Sequence, residues 1–205
     1  MLFCLAKLKN SHTEIIDGGI SMVYFWLSWL AIVYFLFLDL YPNRIKRLFL
    51  WLLLLNIIFI NLQLEMGTYT LTVPYLYCFI IVWALILIRT MSYFNYYVLL
   101  CLILIYNGIK YALITNPIWL LINQFLMINL VFVVILVVLI KDNQERIYLL
   151  VAASLTGELL YAYNIQVLNW KVVLGETDFF ISLYIAIFIL YFMQLISSNT
   201  SVIRT

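Results

Sequence analysis

The chain has 205 residues, of which 67% are hydrophobic and 10% charged, with a formal net charge of +2. Ordinary soluble domains carry about 25% charged residues, and a soluble chain this apolar would expose large adhesive patches, so water is excluded as its solvent. The small net charge, with no basic patch of interleaved stacking aromatics, excludes nucleic acid as a partner.

These bounds point to an all-α fold, a polytopic transmembrane helical bundle. Its first partner is the lipid bilayer, and its further partners are other membrane proteins or a second copy of itself. An outer-membrane barrel needs strands that alternate polar and apolar residues, and the continuous apolar runs of this chain exclude it.

Residues 1–21 differ from everything after them, being mixed in charge and weakly apolar. As a signal segment they would use Lys7 and Lys9 as the positive region. The apolar run that follows is too long for a cleaved signal, however, and the small-residue cleavage pattern is missing. Gly18-Gly19 shortly before Met22 is what a ribosome-binding sequence looks like when read through as codons. We therefore read 1–21 as a leader that is not translated, with the start at Met22, and 22–205 as a single seven-helix transmembrane domain.

About 20 apolar residues cross a bilayer core of about 30 Å, and seven runs approach that length. The first extends from about Ser21 or Val23 to Leu40, with Trp26 and Trp29 near the outer interface; Asp39, Pro42, Arg44, Lys46 and Arg47 end it. The second, Leu48 to about Leu64, carries Asn56 and Asn61. The third, Leu71 to Ile88, holds Pro74 in its first turn, where a missing amide donor costs little. The fourth, Phe94 to Ile114, carries Asn107 and Lys110, and Thr115-Asn116-Pro117 turns the chain into the fifth, Ile118 to Ile140. A polar loop, Lys141 to Arg146, leads to the sixth run, Ile147 to Leu168; the loop 169–178 leads to the seventh, Phe179 to Ile196.

If the spans alternate, Arg44, Lys46, Arg47, Arg89, Lys141, Arg146 and Arg204 share one side, against Lys171 in a loop and Lys110 near the face on the other. Basic residues concentrate on the cytoplasmic side. The N-terminus is thus expected outside and the C-terminus in the cytoplasm. Heavy use of Ile, Asn, Tyr, Phe and Leu suits an AT-rich bacterial coding sequence, which makes the expected location a bacterial cell membrane.

Glu158 is the one acid after Met22 that falls at mid-membrane depth. Such a residue is expensive to bury and marks a functional-site candidate. Lys110 sits about 9 Å further out, six residues at about 1.5 Å each. Asn107, Lys110 and Tyr111 share a face of the fourth run through their i, i+3 and i+4 spacing. Asn123 and Gln124 come close through the turn at Asn116. With Thr156, Tyr161 and Asn164 these residues would make a polar pocket that opens outward. Each has a plainer reading as well. Glu158 would be a paired acid that pins helices together, Lys110 would snorkel to the interface, and the amides would bond across helices. Ala153-x-x-x-Gly157 reads as a small-residue face for close helix packing.

Cys4, Cys78 and Cys101 have neither metal nor disulfide spacing, and His12 is the single histidine, so no metal site and no cofactor is expected. Zinc-protease motifs and phosphate-cradling glycine loops are missing, and the seventh run has no lysine for a retinal Schiff base. The first expectation is therefore a non-enzymatic membrane protein that acts by interaction or assembly. The alternative is a small-solute or proton-linked carrier, or the membrane subunit of one, with Glu158 as its ionisable group.

The opening of the first run, Tyr24-Phe25-Trp26-Leu27-Ser28-Trp29, followed by seven spans counted from Met22, resembles the YphA-like family of Bacillales membrane proteins. The resemblance implies a bacterial cell-membrane protein and brings no catalytic or binding residues with it.

Overall fold

The computed structural model describes residues 22–33, 36, 43–59, 62–66, 69–89, 91–116, 123–168 and 172–202. The expected leader 1–21, Cys4, His12, Asp39, Pro42, Asn61, Pro117, the start of the fifth run, Lys171 and Arg204 lie outside them. Contacts divide the chain into two compact units, Met1–Asn61 and Leu62–Thr205.

The first unit contains two described helices, α1 (Met22–Val33) and α2 (Asn43–Phe59). Tyr24, Ser28 and Ile32 recur every fourth residue on α1 and are buried, while Trp26 on another face is exposed. This is the stripe of an amphipathic helix. The Phe25 ring meets Trp26 and Trp29 edge-on, at centroid distances of 6.4 and 6.2 Å.

The second unit runs β1 (Gln63–Met66), β2 (Tyr69–Thr72), α3 (Val73–Arg89), α4 (Tyr93–Thr115), α5 (Gln124–Leu139), α6 (Asn143–Ile165), β3 (Val172–Leu174) and α7 (Thr177–Val202). The all-α class holds, with seven helices among the described residues. The small sheet was not expected. β1 pairs antiparallel with β2, and β3 joins β2 in parallel, opposing Leu71 to Leu174. The second apolar run therefore stops at Phe59 as a helix, and the third begins at Val73. Strands of three or four residues leave too little alternation to stand out beside long apolar runs. Gly175 follows β3 with φ of +77°, and a Cβ there would lie 2.4 Å from Thr72 Oγ1. Only glycine fits, and the Thr72 hydroxyl then donates to the Gly175 carbonyl at 3.0 Å.

Helix starts follow from their caps. Asn123 accepts from the Phe125 amide at 3.0 Å to open α5, and Asp142 accepts from the Gln144 amide at 3.1 Å to open α6. Arg146 closes the other end of α5, donating to the Ile140 carbonyl at 2.7 Å.

α6 is the central element, packed against α3, α4, α5 and α7. Its partners on α4 lie 50 residues away at Asn95–Glu145 and 52 at Tyr106–Glu158. A nearly constant offset means that the two helices run in the same direction. α5 and α7 are parallel too, with offsets of 55 at Asn123–Asp178 and 53 at Asn129–Ser182. By length and composition, α4 and the segment Thr177–Gln194 of α7 can cross a membrane; α1, α3 and α5 are shorter apolar helices.

Candidate functional site

Glu158 and Lys110 meet. Lys110 Nζ lies 3.3 Å from Glu158 Oε2, and the two residues are 3% and 1% exposed. The Tyr106 hydroxyl donates to the same carboxylate oxygen. Tyr106 stands one turn before Lys110 on α4, so a single helix face delivers both groups to the acid on α6. Removing a charged pair from water is costly, and only good geometry with added hydrogen bonds repays it. Tyr106 supplies one such bond.

Aromatic faces enclose the lysine. Its Nζ is 4.0 Å from the Phe125 centroid, 4.8 Å from Tyr161 and 5.7 Å from Tyr106. A ring face attracts a cation within about 6 Å, the more so where water is excluded. Lys110 therefore turns inward rather than snorkelling. A carboxylate and three ring faces lie within reach, and the stem of a lysine is long enough to place the ammonium among them.

Gly157 makes the approach of Tyr106 possible. A Cβ on residue 157 would lie 2.5 Å from Tyr106 Cγ and 2.8 Å from its Cβ. Those atoms are close to the α4 backbone and have little freedom to move. Of the residues expected on a small-residue face, Ala153 is fully buried and Gly157 receives the Tyr106 ring. Asn107 strengthens the same contact, its Nδ2 donating to the Ile103 carbonyl at 2.9 Å and to the Gly157 carbonyl at 3.4 Å.

Beside the ion pair lies a cavity of about 220 Å³, lined by Lys110, Gln124, Phe125, Glu158, Tyr161, Ile165, Val172, Val173 and Glu176. Four expected site residues, Glu158, Lys110, Gln124 and Tyr161, line this cavity. Tyr111 is more exposed and touches the Tyr161 ring at a centroid distance of 6.0 Å. Asn123 does not line the cavity; it caps α5 and donates to Asp178 at 2.7 Å. Thr156 is not part of the site. Its hydroxyl binds the Ala152 carbonyl at 2.6 Å and accepts from the Trp83 indole on α3 at 3.3 Å. Two residues along a helix turn a side chain to nearly the opposite face, so Thr156 cannot join Glu158. Asn164 is exposed and lies off the cavity.

Tyr106, Phe125 and Glu176 are the residues that sequence reasoning missed. Tyr106 could have been found from its i−4 relation to Lys110. Glu176 sits beyond the apolar run and reaches the cavity because β3 folds back onto the sheet.

A second polar cluster ties α5, α6 and α7 together. Ser154 donates to Asn129 Oδ1 at 2.8 Å, Asn129 Nδ2 donates to Ser182 at 2.9 Å, and Ser182 donates to the Phe179 carbonyl at 2.8 Å. Every one of these groups is buried and bonded, so this cluster is a structural joint. Tyr75 adds a clamp from α3, donating to the Leu155 carbonyl at 2.5 Å.

A family model described as YphA-like integral membrane protein matches residues 21–205. The chain belongs to that family. Membership makes this YphA-like chain an integral membrane protein in contact with the bilayer. No curated protein and no solved structure matches the chain. The charged pair of this YphA-like protein is accordingly read from its own geometry.

Proposed function

We propose that this chain is a non-enzymatic, seven-span protein of a bacterial cell membrane that holds a small solute in its outer half, in the manner of a carrier or a carrier subunit. In this reading the N-terminus is outside, the C-terminus is cytoplasmic, and the sheet and cavity face outward. One observation carries the proposal. Lys110 and Glu158 are paired and both help to line a cavity, room that a pair serving only to join helices does not need. The volume, about 220 Å³, is below the ~300–1,000 Å³ of drug-sized sites and suits a small molecule. The two charges hold each other, which supports binding over bond-breaking chemistry.

The test is a thermal-unfolding screen of purified protein against small ammonium, carboxylate, zwitterionic and neutral solutes. The reference is the double variant K110M/E158L, whose apolar pair of similar volume should keep the fold. The expected result is a solute class that raises the Tm of the native chain and leaves the double variant unmoved. The reading is overturned if every class shifts both proteins equally or neither.

A second reading, assembly or interaction, is favoured by the Asn129–Ser154–Ser182 joint, which is buried and fully bonded. It expects the double variant to keep its membrane partners and biological role.

A further inference from the structure

We propose that the cavity is an ammonium site and that Lys110 is its tethered occupant, exchanging places with a small organic ammonium ion from outside. This rests on the solute-binding reading above and names the solute class.

The place filled by the Lys110 Nζ has the composition of an ammonium receptor. A carboxylate, Glu158, stands at 3.3 Å, and the faces of Phe125, Tyr161 and Tyr106 lie 4.0, 4.8 and 5.7 Å away. Ring faces around a cation are the arrangement that recognises alkylammonium groups in general. Among the described residues, the other charged groups that line the cavity are the carboxylates Glu158 and Glu176. An anion entering it would meet both acids, and a neutral solute would leave the rings and the carboxylate without a charge to answer. A cation replaces what Lys110 now supplies.

Exchange is open to Lys110 because of where it sits. Its Cα is within two turns of the end of α4 at Thr115. A lysine stem there can carry the ammonium outward to the polar edge of the membrane. The cavity lies directly beside the ammonium, so an incoming ion in the cavity is next to the place it would take. The tethered group competes intramolecularly, without the cost of being brought from solution. It therefore keeps the site closed until the external ion is abundant or makes further contacts with Gln124 and Tyr161.

The experiment uses the full chain in detergent and the variant Lys110→Met, which keeps most of the stem and removes the charge. Thermal unfolding is followed with added methylammonium, tetramethylammonium, methanol and sodium ions at matched ionic strength. The proposal expects K110M to gain Tm in a dose-dependent way with methylammonium but not with methanol or sodium. It also expects K110M to bind methylammonium at least tenfold more tightly than the native chain, and K110M/E158L to show no gain. Equal gains from methanol would mean simple cavity filling and would overturn it, as would no gain from either amine. If carboxylates or neutral solutes stabilise the native chain while amines do not, the solute-binding reading stands and the ammonium assignment falls. Should K110M not fold, Phe125→Leu is the second variant: it thins the ring enclosure, and the native chain's methylammonium affinity should fall several-fold.

Discussion

Glu158 receives both an ammonium and a phenol hydroxyl, so each partner can be removed separately. Breaking a buried pair by deleting one charge costs about 3–5 kcal/mol, because the other is left uncompensated. E158Q and K110M should each lose stability of that order in thermal or denaturant unfolding, and K110M/E158L should lose much less than their sum. Additive losses would show that the two groups do not interact. Tyr106→Phe removes a hydrogen bond to a charged group and should cost about 1.5–3 kcal/mol. A loss below a few tenths would mean that the hydroxyl finds water instead. Glu158 and Lys110 each stood out in the sequence as a lone charge in an apolar run. Their pairing was not legible, because a lysine near a span end can equally snorkel to the interface. Tyr106 did not stand out, because it is one of 16 tyrosines and nothing but its spacing from Lys110 marks it.

At the scale of elements, α4 and α6 are held in register by contacts spread along both helices, from Asn95–Glu145 through Asn107–Gly157 to Tyr111–Tyr161. Cysteine pairs at 95/145 and 111/161 should therefore crosslink with short reagents, and the mismatched pair 95/161 should not. Crosslinking of the mismatched pair would point to a different packing. Gly157→Ala places a methyl against the root of Tyr106 and should cost about 1–3 kcal/mol as overpacking. It should also weaken the 107/157 contact, read as slower crosslinking of N107C with a cysteine at 158. The small-residue face was visible as Ala153-x-x-x-Gly157. Which helix it receives was not, because small residues permit close approach without naming a neighbour. The helices themselves were legible to within a turn or so at most ends, whereas β1, β2 and β3 were hidden. A short strand is stabilised by its partners, and one of the two partners of β2, β3, lies a hundred residues away.

For the whole molecule, the basic residues predict an orientation that accessibility can check. A cysteine at Glu176 should react with an impermeant maleimide in intact cells, and one at Lys141 only after permeabilisation. The reverse pattern would invert the proposed topology and put the cavity on the cytoplasmic side. At the far end from the cavity, Arg89 bonds Gln144 at 2.9 Å, approaches Asp142 at 3.8 Å and lies over the Tyr148 ring at 5.2 Å. These exposed contacts are weak one by one, but they fasten α3 to the start of α6 at the end where the tyrosine clamp does not reach.

The sequence by itself determined the solvent, the helical class and the helix-forming runs, because each follows from local composition and from the length needed to span lipid. It also singled out Glu158 and Lys110, because a charge in an apolar run is costly wherever the chain folds. Only the tertiary structure decided that Lys110 turns inward, that Tyr106 completes the site, that Thr156 faces α3, and that β3 brings Glu176 to the cavity. Those outcomes depend on which helix faces which, and many pairings of similar apolar faces satisfy the same hydrophobic pattern.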